Sequence, residues 1–463
     1  MSSLSVSTGP LAQAHASAAG TEPRPSGSAR RKVLLGRRLA ACLCLFGLSI
    51  TTAAAQDDVK LRVRAVHDLA KGGAGNLPKL EDYLGDPAID VRIEAVKAIV
   101  DIGTTRSIDA LVKAVADVDP EVQIRATDGL VNFYLPGYIK TGMTASIRRA
   151  GSAIMSHFTD TNDQIVDPFV TVRPEIITAL GKVARDGDSK DSRANAARAI
   201  GILRGKAAIP DLVAALHSRE DEILYESLVA IQKIRDPAAG PQITFLLHDL
   251  NPKIQSAVVE TLGLVQDRSS IPQIREILDR TKDNRVRRSA LTSLAMMPTA
   301  ETHRVFLAYL NDKDDNMRAA AAEGLARARD ANDTVTVTKA YEAETKTKAK
   351  LGYAFALVAM GRRESTTNSP LYYLITQLEG RGYRDVAQAY LIELARDPET
   401  RKAIYIYLQP GNTTKEQKIG LARVLGTSGD RDTVPYLETL SHDTDSEVAA
   451  EGLRALRNLR ARL

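Results

Sequence analysis

The sequence contains no tryptophan, few aromatic residues (5%) and only two cysteines among its 463 residues. Both cysteines, Cys42 and Cys44, lie within the first 55 residues. The remainder therefore has no disulfide, no thiolate nucleophile and no cysteine metal site. Small and aliphatic side chains must fill the interior, and a hydrophobic fraction of 44% is enough for them to do so.

The charge balance does not favour a nucleic-acid-binding protein, although the sequence pI is about 9.0. Residues 1–55 carry six basic residues and one acidic residue, which leaves 56 of each sign in the rest of the chain. The basic excess thus belongs to the first segment, and we expect no nucleic-acid partner.

That first segment has the layout of an export signal. A basic stretch, SARRKVLLGRR, precedes a short apolar run, LAACLCLFGLSI, and then the small residues of TTAAAQ. We expect cleavage after Ala55, an N-terminal extension and signal peptide over 1–55, and a mature protein in the periplasm or outside the cell. The alternative is an uncleaved anchor, but 12 apolar residues are few for a membrane span.

A helical pattern recurs along the rest of the chain. In DVRIEAVKAIVDIG (90–103), apolar residues follow helical spacing from Val91, and Gly103 marks the end of the helix. Most of the equivalent positions are 31 or 32 residues apart, which indicates a repeat architecture. These anchor positions are Val91, Val122, Val172, Ser192, Ile223, Ile254, Val286, Met317, Ala349, Tyr383, Gln417 and Val448.

A second, shorter helix is predicted in each repeat, and no strand pattern accompanies it. Segments such as AAIPDLVAAL (207–216) place Pro210, Pro272 and Pro435 where a helix can begin without a backbone N–H. One helical hairpin cannot bury its own apolar stripe, so neighbouring hairpins must stack. We therefore predict an all-α, right-handed α–α superhelix (solenoid) of about 11–12 helical-hairpin repeats over residues 56–463.

The repeated segments resemble HEAT repeats of the short bacterial type seen in phycobilin-lyase-like proteins. DPAIDVRIEAVKAIVDIG, NPKIQSAVVETLGLVQD and DSEVAAEGLRALRNL carry the pattern, which covers roughly residues 60–463. The resemblance implies a fold far more specifically than a function.

Aspartates before the anchor and basic residues after it recur in several repeats. Three repeats carry both, as Asp86 with Arg92, Asp167 with Arg173 and Asp312 with Arg318. The resemblance implies a structural ladder in which the aspartates hold backbone N–H groups and arginines of adjacent repeats. The alternative is a basic column that binds an anionic ligand.

No catalytic or metal-ligating constellation is evident. None of the seven histidines is followed by glutamate or stands at ligand spacing from another. This matters because deoxyhypusine hydroxylase, an enzyme with HEAT repeats, uses His-Glu pairs for a di-iron site. Phosphate-loop, nucleophile-elbow and His-Glu-x-x-His motifs are also absent. We expect no catalytic residues, no cofactor and no metal.

An irregular segment over residues 133–169 interrupts the repeats. It holds three of the six phenylalanines that lie outside the leader. One interpretation is an ordinary long connection, and the other is a recognition element, since insertions in solenoids often lie on the binding face. The predicted partner-binding residues are Phe133, Tyr134, Tyr138, Met143, Arg148, Arg149 and Phe158.

Tyrosines form a second concentration, with eight of the fourteen between residues 341 and 407. Their helical spacing favours core packing, although tyrosine is also common at interfaces. The leading interpretation of the whole chain is an exported, non-catalytic scaffold that binds other proteins, with no membrane span after signal cleavage. The alternative is an enzyme or ligand-binding module, lyase-like or metal-dependent, framed by the solenoid.

Overall fold

The computed structural model describes residues 56–139, 164–167, 170–409 and 411–463. By contacts the chain divides into two units, Met1–Asp68 and Leu69–Leu463. The described part of the first unit, residues 56–68, is helical, and Lys60 pairs there with Asp57 at 3.1 Å. In the described ranges, every helix is too short or too polar to cross a membrane.

The second unit is built from α-helices, and its described residues contain no strand. Eleven helices contain or directly follow the predicted anchors and form what we call the anchor row. They are α2 (Ile89–Ile102), α4 (Pro120–Tyr134), α6 (Lys190–Ile202), α8 (Asp221–Ile234), α10 (Pro252–Leu264), α12 (Asn284–Met296), α14 (Asp315–Ala328), α16 (Thr347–Ala359), α18 (Arg384–Leu394), α20 (Lys415–Ser428) and α22 (Ser446–Arg460).

Eleven helices alternate with these along the chain and form the partner row. They are α1 (Leu77–Asp82), α3 (Ser107–Ala114), α5 (Pro174–Asp186), α7 (Ile209–Ala215), α9 (Gly240–Ile243), α11 (Ile271–Arg280), α13 (Ala300–Tyr309), α15 (Thr334–Ala343), α17 (Pro370–Thr376), α19 (Pro398–Tyr405) and α21 (Val434–Ser441). Short 3₁₀ turns precede or follow several of them.

Consecutive helices of the anchor row pack against one another from α2 through to α22. Each anchor helix thus buries one side against its predecessor and another against its successor, as the stacking argument requires. The predicted fold class, an all-α right-handed superhelix of HEAT-like helical hairpins, is confirmed, with eleven hairpins in the described residues.

Local sequence explains where the anchor helices begin and end. The Asp283 carboxylate accepts hydrogen bonds from the N–H groups of Arg285 (2.8 Å) and Val286 (3.1 Å), which caps the start of α12. Gly103 ends α2 in the left-handed conformation at φ +59°, as its position in the repeat predicts.

Two predicted anchor positions were misplaced. Val172 lies in a non-helical segment, and α5 begins at Pro174, because a residue that precedes proline is disfavoured in the α conformation. Helix α5 packs against α3, α6 and α7, so it belongs to the partner row and forms a hairpin with α6. Tyr383 lies just before α18. The third residue of that helix, which is the position equivalent to Val91 in α2, is Val386.

The tyrosine concentration is mostly core. Five of the eight are buried, namely Tyr341, Tyr353, Tyr390, Tyr405 and Tyr407. Several join neighbouring units by ring contacts, for example Tyr405 with Tyr436, whose centroids lie 3.9 Å apart. Tyr383 is the exposed exception, so the core interpretation holds for most of these rings.

Candidate functional site

The described ends of the irregular segment lie against α6 and α8 of the anchor row. The N–H of Val166 donates to the carbonyl of Ile202 at 2.9 Å. The Lys233 ammonium donates to the carbonyl of Gln164 at 3.3 Å. At the other end, Tyr138 packs close to charged groups on α4, α6 and α8, as its electrostatic neighbours show.

A buried polar cluster, which we call the Arg198 network, lies beneath these ends. The guanidinium of Arg198 donates to both carboxylate oxygens of Glu226, with Nη2–Oε1 at 2.9 Å and Nε–Oε2 at 3.2 Å. Their side chains are only 4% and 3% exposed. Asn195 accepts from Arg198 Nη1 at 3.4 Å and donates to Asp128 at 3.1 Å. The network therefore joins α4, α6 and α8.

The surroundings favour the ionised form of Arg198. Burial disfavours the charged form of Arg198, but the charge and hydrogen bonds of Glu226 outweigh it and raise the pKa of the guanidinium. Burial also raises the pKa of Tyr138, and the negative charge of Asp128 adds to the effect. The tyrosine is therefore a neutral hydroxyl near neutral pH, suited to hydrogen bonding and unsuited to act as a base.

The predicted partner-binding residues fall into two groups. Phe133 and Tyr134 end α4, where their rings meet edge to face at 5.2 Å, and the Tyr134 hydroxyl accepts a hydrogen bond from the N–H of Arg173. Tyr138 lies at the Arg198 network. Met143, Arg148, Arg149 and Phe158 lie outside the described residues. Tyr134 and Tyr138, at the start of the segment, thus contact the repeats that flank it. A partner-binding role for them stays a prediction.

The ladder residues connect adjacent units instead of pairing within one. Arg92 donates to both oxygens of Asp117 in the next unit, at 2.8 and 3.0 Å. Its Nη1 also donates to the backbone carbonyl of Asp86 at 2.9 Å. The Asp86 carboxylate instead accepts the N–H of Ala88 at 2.8 Å, which fixes the turn before α2.

The same arrangement recurs around Arg318 with a different acceptor. Arg318 donates to the two oxygens of Glu344 at 2.7 and 3.0 Å and to the backbone carbonyl of Asp312 at 2.8 Å. The hydrogen bonds that Arg318 donates to Glu344 raise the pKa of the guanidinium. Burial works against ionisation of Glu344, but the bonds from Arg318 and from backbone N–H groups prevail and lower the pKa of that carboxyl.

The assignment of Asp167 and Arg173 to the ladder is corrected by their positions. Arg173 stands just before α5, outside the helix, and its side chain pairs with Asp109 of α3 at 2.7 Å, while Asp167 is exposed. The reason is again Pro174, which prevents Arg173 from entering the helix and so from occupying the position that Arg92 holds in α2.

One group of side chains in the described residues has the chemistry of a metal site. The donor atoms of His303, Asp330 and Asp333 all lie within 4.8 Å of one another. Each acid also has a structural partner, since His303 Nε2 is 2.6 Å from Asp333 Oδ2 and Asp330 accepts the N–H of Asn332 at 3.0 Å. The contact between His303 and Asp333 links α13 to the start of α15. The same donor atoms also suit a divalent cation.

Sequence reasoning missed the Arg198 network and His303. A usable signal was present for the first, because Arg198 interrupts ANAARAIGI, a run of otherwise small and apolar residues, and a charge there must find a buried partner. The partner Glu226 lies in the next repeat, three positions after its anchor Ile223, whereas Arg198 lies six positions after Ser192, so the two differ by about one helical turn in register.

Comparisons with known proteins agree with the repeat architecture. The family model described as HEAT repeats matches residues 49–131 and 241–326, and the PBS lyase HEAT-like repeat matches residues 192–218. The first match begins within the predicted leader.

The chain is similar in sequence to proteins of two differently named kinds. The chain is 25% identical to deoxyhypusine hydroxylase-B of Oryza sativa subsp. japonica over 242 residues, which is 50% of this chain and 74% of that protein. It is 38% identical to the bilin biosynthesis protein PecE of Mastigocladus laminosus over 87 residues, or 19% of this chain and 32% of that protein. It spans less than half of the length of the PecE relatives that it matches.

Among solved structures, one that this chain matches is the complex of CpcE and CpcF of phycocyanin lyase from Nostoc sp. PCC7120. The identity is 16% and the TM-score 0.31, and the match covers 64% of this chain and 91% of that chain.

Proposed function

We propose that this protein is a non-catalytic HEAT-repeat scaffold that binds other proteins, and that it works outside the cytoplasm. One observation carries the scaffold part of the proposal. Charged side chains of the described repeats, such as the buried Arg92 and Arg198 and the half-buried Arg318, are engaged in bonds that join neighbouring helices or units. They stabilise a frame and do not converge on a pocket that could hold a substrate.

Protein partners are the ligands that such a frame suits best. Stacked hairpins present long, exposed rows of side chains, and solenoids use such rows to bind extended surfaces of other proteins. The HEAT-repeat matches support this proposal.

The test is capture of partners by the mature chain, residues 56–463, from the envelope fraction of the native host. A matched variant replaces residues 141–162 with a short Gly/Ser linker and keeps Tyr138 and Gln164, so that the Arg198 network stays covered. If the segment contributes to recognition, the variant loses partners that the intact chain retains, while its helix content and thermal unfolding are unchanged. Equal capture would make the segment a connection only.

The location outside the cytoplasm rests on the leader alone and has its own test. N-terminal sequencing of protein recovered from the native host is expected to begin at or near Gln56. Recovery of the chain in the cytoplasm with its leader intact would contradict it.

A second candidate function is a ligand-binding or lyase-like module, which the PecE relatives favour. Mixing the purified chain with a linear tetrapyrrole and recording the visible absorbance spectrum separates the two proposals. A saturable spectral shift near one equivalent favours the second candidate. Metal analysis of the same preparation tests the His303 group, and a metal content near one equivalent would also favour it.

A further inference from the structure

Lys350, the fourth residue of α16, lacks the carboxylate partner that other cations of the ladder have. Arg92, Arg318 and Lys418 are the fourth residues of their anchor helices, and each binds a carboxylate of the next unit at 2.7 or 2.8 Å. Within the described residues, the Lys350 ammonium has one hydrogen-bond acceptor, the carbonyl of Glu344 at 3.5 Å. The ladder is therefore interrupted between α16 and α18.

Where the ladder is intact, one acidic residue of the turn accepts twice. The carboxylate of Asp117 binds Arg92 of the preceding unit, and its carbonyl accepts from the Gln123 side chain at 2.6 Å. Glu344 likewise binds the preceding unit with its carboxylate and faces Lys350 with its carbonyl. In both turns the carbonyl belongs to the residue six positions before the donor.

The turn before α18 keeps this carbonyl and loses the carboxylate. Arg384 Nε donates to the carbonyl of Leu378, again six positions earlier, at 2.9 Å. The Leu378 side chain is buried against Gly420 of α20 and offers no charge to Lys350. The guanidinium of Arg384 also has no carboxylate within the described residues, since its other acceptor is the carbonyl of Glu379 at 3.1 Å.

Tyrosine rings surround the cation in place of the missing carboxylate. The Lys350 ammonium lies 5.0 Å from the ring centre of Tyr341 and 5.7 Å from that of Tyr373. Burial raises the pKa of Tyr373 and the nearby Tyr383 adds to the effect, so these two side chains are close neighbours. Tyr383 is 36% exposed. Two other basic fourth residues that lack a carboxylate have no such rings within the described ranges, namely Arg193 and Arg287.

The acids of this region are directed elsewhere. Three acids between residues 342 and 385 make no ion pair in the described structure, namely Glu342, Glu379 and Asp385. The Glu379 carboxylate faces α20, where it accepts from Thr414 at 2.8 Å and Gln417 at 2.9 Å. Asp385 lies in the first turn of α18, where the helix dipole stabilises it. Five bases of the same range make no ion pair either, namely Lys346, Lys348, Lys350, Arg381 and Arg384, so positive charge is in excess.

We propose that Lys350 and Arg384, with the rings of Tyr373 and Tyr383, bind carboxylate side chains of a protein partner, which complete the ladder where the chain itself does not. We call these four residues the Lys350 site. The inference rests on the proposed scaffold function and adds the chemistry of the partner. A carboxylate is what the same position binds in three other units. Tyrosine and arginine are also enriched at protein interfaces.

Helix spacing sets the separation of the two carboxylates. Lys350 and Arg384 lie near the starts of α16 and α18, which pack against each other. Packed helices lie about 8–10 Å apart. An extended chain advances about 3.3–3.6 Å per residue, so carboxylates three residues apart match the two cations.

The test uses a labelled, end-blocked peptide, Ser-Glu-Ser-Ser-Glu-Ser, and fluorescence anisotropy with the full chain. One control peptide has glutamine for glutamate, and a second has the two glutamates adjacent, so that its net charge is unchanged. The first peptide should bind more tightly than both controls. Lys350→Gln and Arg384→Gln should each weaken its binding about threefold, within the range for exposed ion pairs. The double variant should weaken it about tenfold, because losses at separate contacts add.

Two matched variants remove the same charge outside the site. Lys418→Gln changes a ladder lysine whose ammonium already binds Asp443 at 2.8 Å, and Lys346→Gln changes an exposed lysine in the turn before α16. Both should keep the affinity of the parent. Should Arg384→Gln fail to fold, because two turn carbonyls lose their donor, Lys350→Gln decides alone.

Three results would overturn the inference. They are unchanged affinity in Lys350→Gln, an equal loss in Lys346→Gln, or tighter binding of inorganic phosphate than of the glutamate peptide in competition. Capture from the envelope fraction separates this failure from that of the scaffold function. A protein partner that binds the parent and Lys350→Gln equally overturns the Lys350 site alone, whereas no partner for the intact chain overturns the scaffold proposal.

Discussion

At the scale of residues, the arginine ladder explains how similar units hold a fixed register. Each ladder arginine binds a carboxylate of the next unit and a carbonyl of its own turn, as Arg92 does with Asp117 and Asp86. The fork of the guanidinium allows both contacts at once, which a lysine could not reproduce with the same geometry. The Asp117 carboxylate also accepts a hydrogen bond from the backbone N–H of Asp119. One side chain therefore fixes its own turn and binds the arginine of the neighbouring unit.

Asp117→Ala should therefore destabilise the fold. The change leaves Arg92 and the N–H of Asp119 without their acceptor in a largely buried place, at a cost of about 1–3 kcal/mol in the free energy of unfolding. Chemical denaturation measures the effect. Asp279→Ala, at an exposed aspartate of α11, is the control and should change stability by less than about 0.5 kcal/mol. Equal effects would mean that the ladder contributes no stability.

The ladder also predicts a dependence on pH. The pKa of Glu344 is lower in the folded chain than in the unfolded one, so its contribution is present above the unfolded value of about 4.3 and is lost as pH falls through the folded value. Unfolding of Glu344→Gln followed between pH 6 and pH 2.5 should show a smaller loss of stability in acid than the parent. Parallel curves would contradict the role of this carboxylate.

At the scale of elements, the Arg198 network joins three anchor helices on either side of the irregular segment. Helix α6 packs directly on α4 although about 55 residues separate them in sequence. The buried ion pair and Asn195 make that contact specific, because a shifted register would leave a charge without its partner.

Removing one partner of this network should be costly, and removing both much less so. Arg198→Ala leaves the Glu226 charge buried and should cost about 3–5 kcal/mol, whereas the double change R198M/E226L should recover most of this loss. Denaturation of both variants tests the point, with Arg185→Ala, at a more exposed ion pair, as a control near zero. If the double variant is as unstable as Arg198→Ala, the network contributes more to folding than the pairing of its charges.

At the scale of the whole molecule, the period of the anchors was sufficient to predict the fold, because each hairpin is specified locally. Val91, Ile223 and Met317 are all third residues of their helices, as one alignment required. Val172 failed because a single proline outweighed a matching apolar pattern. The Arg198 network could not be predicted as a unit, since Asp128 and Asn195 meet only when α6 stacks on α4 across the irregular segment.

Native mass spectrometry is the simplest way to find out whether the chain is a scaffold for protein partners. The chain is isolated with an affinity tag from the envelope fraction of its native host, and the intact complex is weighed by native mass spectrometry. A scaffold for proteins should give a mass that includes at least one other protein in a fixed ratio, without a small-molecule or metal adduct. A chain that is recovered alone with one equivalent of chromophore or metal would contradict it.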